Sequence, residues 1–148
     1  MCIVNIYTDG ACSGNPGVGG YGAILQWNKL ERIVRGYNPA TTNNQMELMA
    51  VIEAIRALKK PCDITVYTDS NYVCNGWASL GKWFAKKNLP NRELWQILNR
   101  ETFAGNHSLK FKKVTGHSGD VLNERCDRIA KEQILKCREK IREANTNG

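Results

Sequence analysis

The sequence predicts a mixed α+β fold of the α/β kind, a five-stranded mixed sheet flanked by helices. Three observations predict it. Three β-prone runs come first, separated by turn residues; the apolar period then changes to a helical one; after that, strands alternate with helices. The 148 residues are read as one domain, with 135–148 a polar tail forming a solvated helix end.

Residues 2–8 read as the first strand. Residues 10–20 hold Gly10, Gly14, Gly17, Gly19, Gly20 and Pro16 and read as a loop. Residues 21–27 and 31–37 read as two more strands, joined by a hairpin at Asn28, Lys29 and Leu30, so the opening is an antiparallel meander. Residues 38–42, with Pro39, read as a loop. From 44 to 59, Leu48, Val51, Ile52, Ile55 and Leu58 fall at helical spacing. Asn44 and Glu47 read as a capping box, and Pro61 as the stop. Residues 63–68 form the fourth strand, expected parallel to the first because a helix separates them. Residues 71–80 read as a short helix and 81–91 as a basic, irregular segment. Residues 92–104 read as a helix with Leu94, Trp95, Ile97 and Leu98 apolar. Residues 109–114 form the fifth strand, 116–120 a polar loop, and 121–144 a long charged helix.

With 21 Lys+Arg against 14 Asp+Glu, the chain carries a net charge of +7. That excess favours an anionic partner, nucleic acid before a membrane surface. No apolar run approaches the ~20 residues of a membrane span. The opening residues lack the pattern of a signal peptide, so a cytoplasmic setting is expected. Six scattered cysteines form no Cys-x-x-Cys pair and read as thiols in a reducing compartment.

The chemistry gathers on four acids. Tyr7-Thr8-Asp9 and Tyr67-Thr68-Asp69 are two β-prone runs that end alike. If their strands are parallel neighbours, both carboxylates share one edge of the sheet. Glu47 and Asp127 sit on helices that could flank that edge. Clustered acids repel one another and raise one another's pKa values, so a convergent set calls for a cation. Hard oxygen ligands suit Mg2+, with Mn2+ as the substitute, and phosphoryl transfer on two ions needs a bridging carboxylate. Taken singly, each acid has a plainer reading: Asp9 a turn residue, Asp69 a helix cap, Glu47 the capping-box acid, Asp127 a surface partner of Lys131. His117, between glycines in Gly116-His117-Ser118-Gly119, suits proton transfer or is a loop histidine without a role. Trp77, Lys82, Trp83, Lys86, Lys87, Asn91, Arg92 and Trp95 mix rings with bases as a nucleic-acid surface does. They fit equally a basic loop over core tryptophans.

These motifs resemble those of bacterial-type ribonuclease H, type 1. The matching pieces are residues 7–17, 20–23, 42–48 and 68–70, and Gly116-His117-Ser118-Gly119 with Asn123-Glu124-Arg125-Cys126-Asp127. They lie in order from about residue 3 to residue 130. The resemblance implies a ribonuclease H-like fold, acting as a stand-alone monomer that hydrolyses the RNA strand of RNA–DNA hybrids and leaves 5′-phosphate and 3′-hydroxyl ends. It implies that Asp9, Glu47, Asp69 and Asp127 are the metal carboxylates, Asp9 bridging two Mg2+ ions, and that His117 assists proton transfer or product release. Cys12, Asn15, Asn43, Asn44 and Ser70 would touch the hybrid, and Thr42 and Asn91 would hold a DNA phosphate. Gln45 stands where an arginine is common. The segment 76–91 is shorter than the family's basic protrusion but keeps Lys82, Lys86 and Lys87; Trp83 beside them is expected to touch the hybrid, and which tryptophan meets the DNA sugar is left open. Two other readings are a hybrid-binding module with weak catalysis and a relative of the same fold acting on DNA.

Overall fold

The computed structural model describes residues 2–115 and 120–147. In chain order the elements are β1 (Cys2–Ser13), β2 (Gly17–Trp27), β3 (Leu30–Thr41), α1 (Asn43–Arg56), β4 (Cys62–Thr68), α2 (Asn71–Ala78), α3 (Leu80–Phe84), α4 (Arg92–Ala104), β5 (Ser108–Lys113) and α5 (Val121–Asn147). The sheet order is β3-β2-β1-β4-β5. β1, β2 and β3 form the expected antiparallel meander, and β4 pairs parallel with both β1 and β5.

Alternation along the strands sorts the helices to the two faces. A Cβ on Gly19 would stand 2.8 Å from Met46 of α1, whereas one on its neighbour Gly20 would stand 2.4 Å from the Ala130 carbonyl of α5. Helices α1 and α5 therefore cover opposite faces of the meander. Val4, Ile6, Ile64 and Val66 of the central strands pack on Leu48, Val51, Ile52 and Ile55 of α1, with Trp95 and Leu98 of α4 behind them. At ~25 cal/mol per Å² of apolar area, this layer supplies the main force of folding.

Several boundaries differ from the sequence reading. β1 does not stop at Thr8 but runs on to Ser13, and β2 begins at Gly17, so only residues 14–16 turn. Gly19 and Gly20, expected to make a loop, instead let the helices approach, as does Gly22 within the expected strand, where a Cβ would stand 2.6 Å from Ile129 of α5. Helix α1 is capped by Thr42, whose side chain accepts from the Gln45 amide at 3.2 Å; Asn44 is inside the helix, and the Asn44–Glu47 capping box does not form. The segment expected to be irregular contains α3. The polar tail is helical as far as Asn147.

Candidate catalytic centre

The parallel ladder between β1 and β4 ends at the pair Tyr7 and Tyr67. Beyond it, β1 stays paired only with β2, and β4 gives way at Asp69 to the start of α2. Asp9 and Asp69 each lie two residues past that last pair, on the same edge. Gly10 lets α1 press against β1 there, and its N–H donates to Asp9 Oδ1 at 3.0 Å. This contact brings Glu47, one turn into α1, onto the same spot.

Carboxylate oxygens of Asp9, Glu47 and Asp69 lie within 4.8 Å of one another. Asp9 is 6% exposed and Glu47 4%. Burial, with Asp69 next, pushes the Asp9 carboxyl up to about 8. Burial and then Asp9 drive Glu47 well above the usual carboxylate range. Glu47 Oε2 is buried with no hydrogen-bond partner among the described residues. A buried acceptor without a donor is costly unless something positive satisfies it. The donor set is all hard oxygen, which fits a divalent cation.

Asp127 arrives from the opposite face. Asp120 caps α5, accepting from the amides of Leu122 at 3.0 Å and Asn123 at 3.1 Å, and Asp127 follows two turns later. Asp127 adds to the upward push on the Asp9 carboxyl, after burial and Asp69, but is not among the three acids whose oxygens lie within 4.8 Å of one another. It also pairs with Lys131 Nζ at 3.0 Å, so the plainer reading of this residue is met as well. The four acids line one cleft of about 410 Å³ together with Cys12, Asn43, Ser70 and, beyond those predicted, Ala11, Asn123 and Glu124. Asn123 precedes Asp127 by four residues and so shares its helix face, a signal present in the sequence. Its Oδ1 is buried and has no partner among the described residues.

The other expected contacts form a second group beside the cleft. Asn15 Oδ1 accepts from the Asn43 amide at 3.1 Å, drawing the β1–β2 turn onto α1. Cys12 Sγ donates to the Thr41 carbonyl at 3.3 Å. The Gln45 carboxamide accepts from Thr41 Oγ1 at 2.8 Å and donates to Asn91 Oδ1 at 3.2 Å. Asn91 in turn donates to the Tyr72 hydroxyl at 3.1 Å. Thr42 and Asn91, though far apart in sequence, are thus joined through Gln45. Asn44 is exposed on the first turn of α1, and Ser70 caps α2. Trp83 is packed edge-on against Trp95 at 5.5 Å, with Lys86 Nζ 5.3 Å from its ring centroid. Lys82, Lys86 and Lys87 are exposed. Arg92 donates to the carbonyls of Phe84 and Lys86 and so anchors this basic segment. His117 lies outside the described residues.

A mixed sheet in this strand order, with carboxylates gathered where its central parallel pair parts, defines a nucleic-acid hydrolase of the ribonuclease H-like fold. The RNase H family profile matches residues 2–135. The ribonuclease H of Chlorobium luteolum is 50% identical over 145 residues, covering 90% of this chain and 96% of that one. The crystal structure of LC9-RNase H1, a type 1 RNase H with the type 2 active-site motif, aligns with a TM-score of 0.81 at 28% identity, covering 92% of this chain and 74% of that one. LC11-RNase H1, solved in complex with an RNA/DNA hybrid, shares the fold with a TM-score of 0.74 at 24% identity, over 90% of this chain and 98% of that one. The chain belongs to the ribonuclease H family of enzymes.

Proposed function

We propose that this chain hydrolyses the RNA strand of RNA–DNA hybrids with two divalent ions, Mg2+ first, held by Asp9, Glu47, Asp69 and Asp127, and leaves 5′-phosphate and 3′-hydroxyl ends. The observation that carries the reading is the convergence of three carboxylates within 4.8 Å around a buried, unpartnered Glu47 oxygen. Ions bound there would polarise the scissile phosphate and supply an ionised water as nucleophile. The chain's own residues do the rest. Asp9, whose Oδ1 accepts from the Gly10 amide, and the buried Glu47 would hold the ions together with Asp69 and Asp127. Cys12, Asn43 and Ser70, which line the cleft, are assigned with Asn15 and Asn44 to contacts with the hybrid, where 2′-hydroxyls distinguish RNA from DNA. The Thr42–Gln45–Asn91 group is assigned to a phosphate of the DNA strand, a reading its mutual hydrogen bonds support, and Lys82, Lys86 and Lys87 with Trp83 to the backbone further on. His117 is assigned proton transfer or product release.

A labelled hybrid, a DNA duplex and single-stranded RNA, each incubated with the chain in Mg2+ and in EDTA, test the reading. Cleavage of the hybrid's RNA strand alone, dependent on the ion and lost in Asp9→Asn, is expected. Cutting that survives EDTA, or cutting of duplex DNA at a similar rate, overturns it.

A further inference from the structure

At the end of the sheet away from the carboxylates lies a second cavity of about 350 Å³. Val4, Leu25 and Trp27 give it apolar walls, and Arg32, Lys59 and Lys60 give it positive charge. Two thiols line it as well, Cys2 and Cys62, the first in-register pair of the β1–β4 parallel ladder. Neighbouring strands stand ~4.7–4.9 Å apart, inside the ~4.4–6.8 Å range of Cα separations that a disulfide accepts. In-register partners also project to the same face of the sheet. The Cys62 thiol, which donates to the Lys60 carbonyl at 3.2 Å, is pushed up to about 11, by burial first and then by the neighbouring Cys2. Both are free cysteines, Cys2 partly exposed and Cys62 buried.

We propose that Cys2 and Cys62 form a reversible disulfide across β1 and β4, and that the cationic cavity admits the oxidant, a small anionic disulfide such as oxidised glutathione. The partly exposed Cys2 loses its proton and attacks one oxidant sulfur, breaking that S–S bond and releasing one thiol. Cys62 then gives up its proton and attacks the Cys2 sulfur of the mixed disulfide, releasing the second thiol. The two cysteines are oxidised by two electrons, and the oxidant becomes two thiols. The bond closes a long loop of chain and clasps the two strands that carry Asp9 and Asp69, at their far end. Asp9 stands seven residues on from Cys2, about 23 Å along an extended strand. The link therefore acts on stability and leaves the chemistry alone.

The full chain, equilibrated in buffers of graded reduced-to-oxidised glutathione ratio, is digested and sequenced by fragment-ion mass spectrometry. The expected product lacks two hydrogens, joins Cys2 to Cys62 and reverts with excess reduced thiol. Its Tm is raised by roughly 5–15 °C. Cys2→Ser, which leaves the buried thiol in place, abolishes the link and the Tm rise without altering hybrid hydrolysis by the reduced protein; Cys74→Ser keeps both. A stable glutathione adduct on Cys2, a bond between any other pair, or a Tm rise that survives Cys2→Ser overturns the proposal.

Discussion

The backbone nitrogen of Glu47 lies 2.4 Å from the position a Cβ on Gly10 would take, and the carbonyl carbon of Met46 lies 2.5 Å from it. No side chain fits between β1 and α1 there, and the obstacle is backbone. Gly10→Ala is therefore expected to push α1 off the strand and carry Glu47 away from Asp9. The cost is about 1–3 kcal/mol of stability. Hybrid cleavage falls at least tenfold, since a misplacement of about 1 Å costs that much or more. Urea unfolding and steady-state cleavage measure the two effects.

The acid cluster makes the metal-free protein sensitive to pH. Asp9 is raised to about 8 in the fold, first by burial and then by Asp69. An unfolded aspartate titrates near 3.9. Between those values the folded chain holds more protons than the unfolded one, so stability falls as pH rises. The stability is fully present below about pH 4 and is lost as pH climbs through 8. In EDTA at pH 8, Asp9→Asn is expected to be more stable than the parent by about 1–4 kcal/mol, with little difference at pH 4. Saturating Mg2+ narrows or reverses the gap, because only the parent gains the ion. Thermal melts in the four conditions check this.

Lys131 sits on Asp127 Oδ2 at 3.0 Å, where a divalent ion would compete with it. Removing this competitor in Lys131→Gln is expected to lower the Mg2+ concentration for half-maximal cleavage by roughly twofold to fivefold. An unchanged Mg2+ titration would mean that Asp127 and the ion never contend.

Gln45 holds Asn91 in place and satisfies the hydroxyl of Thr41, which is 2% exposed. Gln45→Ala strands that hydroxyl, at a cost of about 1–2 kcal/mol. It also frees one side of Asn91. KM for hybrid is expected to rise severalfold, with kcat changed by less than about twofold. Gln45→Arg restores a donor to Asn91 but not the acceptor for Thr41, so it recovers KM without recovering stability.

The basic segment acts through charge. Lys82→Ala combined with Lys87→Ala is expected to raise KM and to reduce the slope of log KM against log salt by about one to two. Lys86 already spends its cation on the Trp83 ring, so Lys86→Ala alone has the smaller effect.

What the sequence revealed was whatever depends on local period. Helices α1 and α4 follow from their apolar spacing, and β4 follows from a strand-prone run after a proline. Its pairing beside β1, expected from the intervening helix, is what places Asp9 and Asp69 on one edge. What it concealed depends on tertiary approach. Gly19 and Gly20 looked like loop residues because nothing local shows that Met46 and Ala130 press on them. The cap of α1 fell two residues early, on Thr42, because Thr41 and Asn91 together engage Gln45. Trp83 read as a ligand contact, yet Trp95 claims one side of its ring. Asp127 pairs with Lys131 as its plainer reading has it, and it lines the cleft without joining the three acids that lie within 4.8 Å of one another.

The cleft borrows its last carboxylate from α5, the final element of the chain. Asp9, Glu47 and Asp69 all come from the first 69 residues, but the fourth acid is added only when residue 127 has been made and its helix has docked over Gly20 and Gly22. A nascent polypeptide shorter than that holds an incomplete cage. On the proposed reading, a chain cut short before residue 127 lacks the fourth carboxylate and is expected to leave the hybrid uncut.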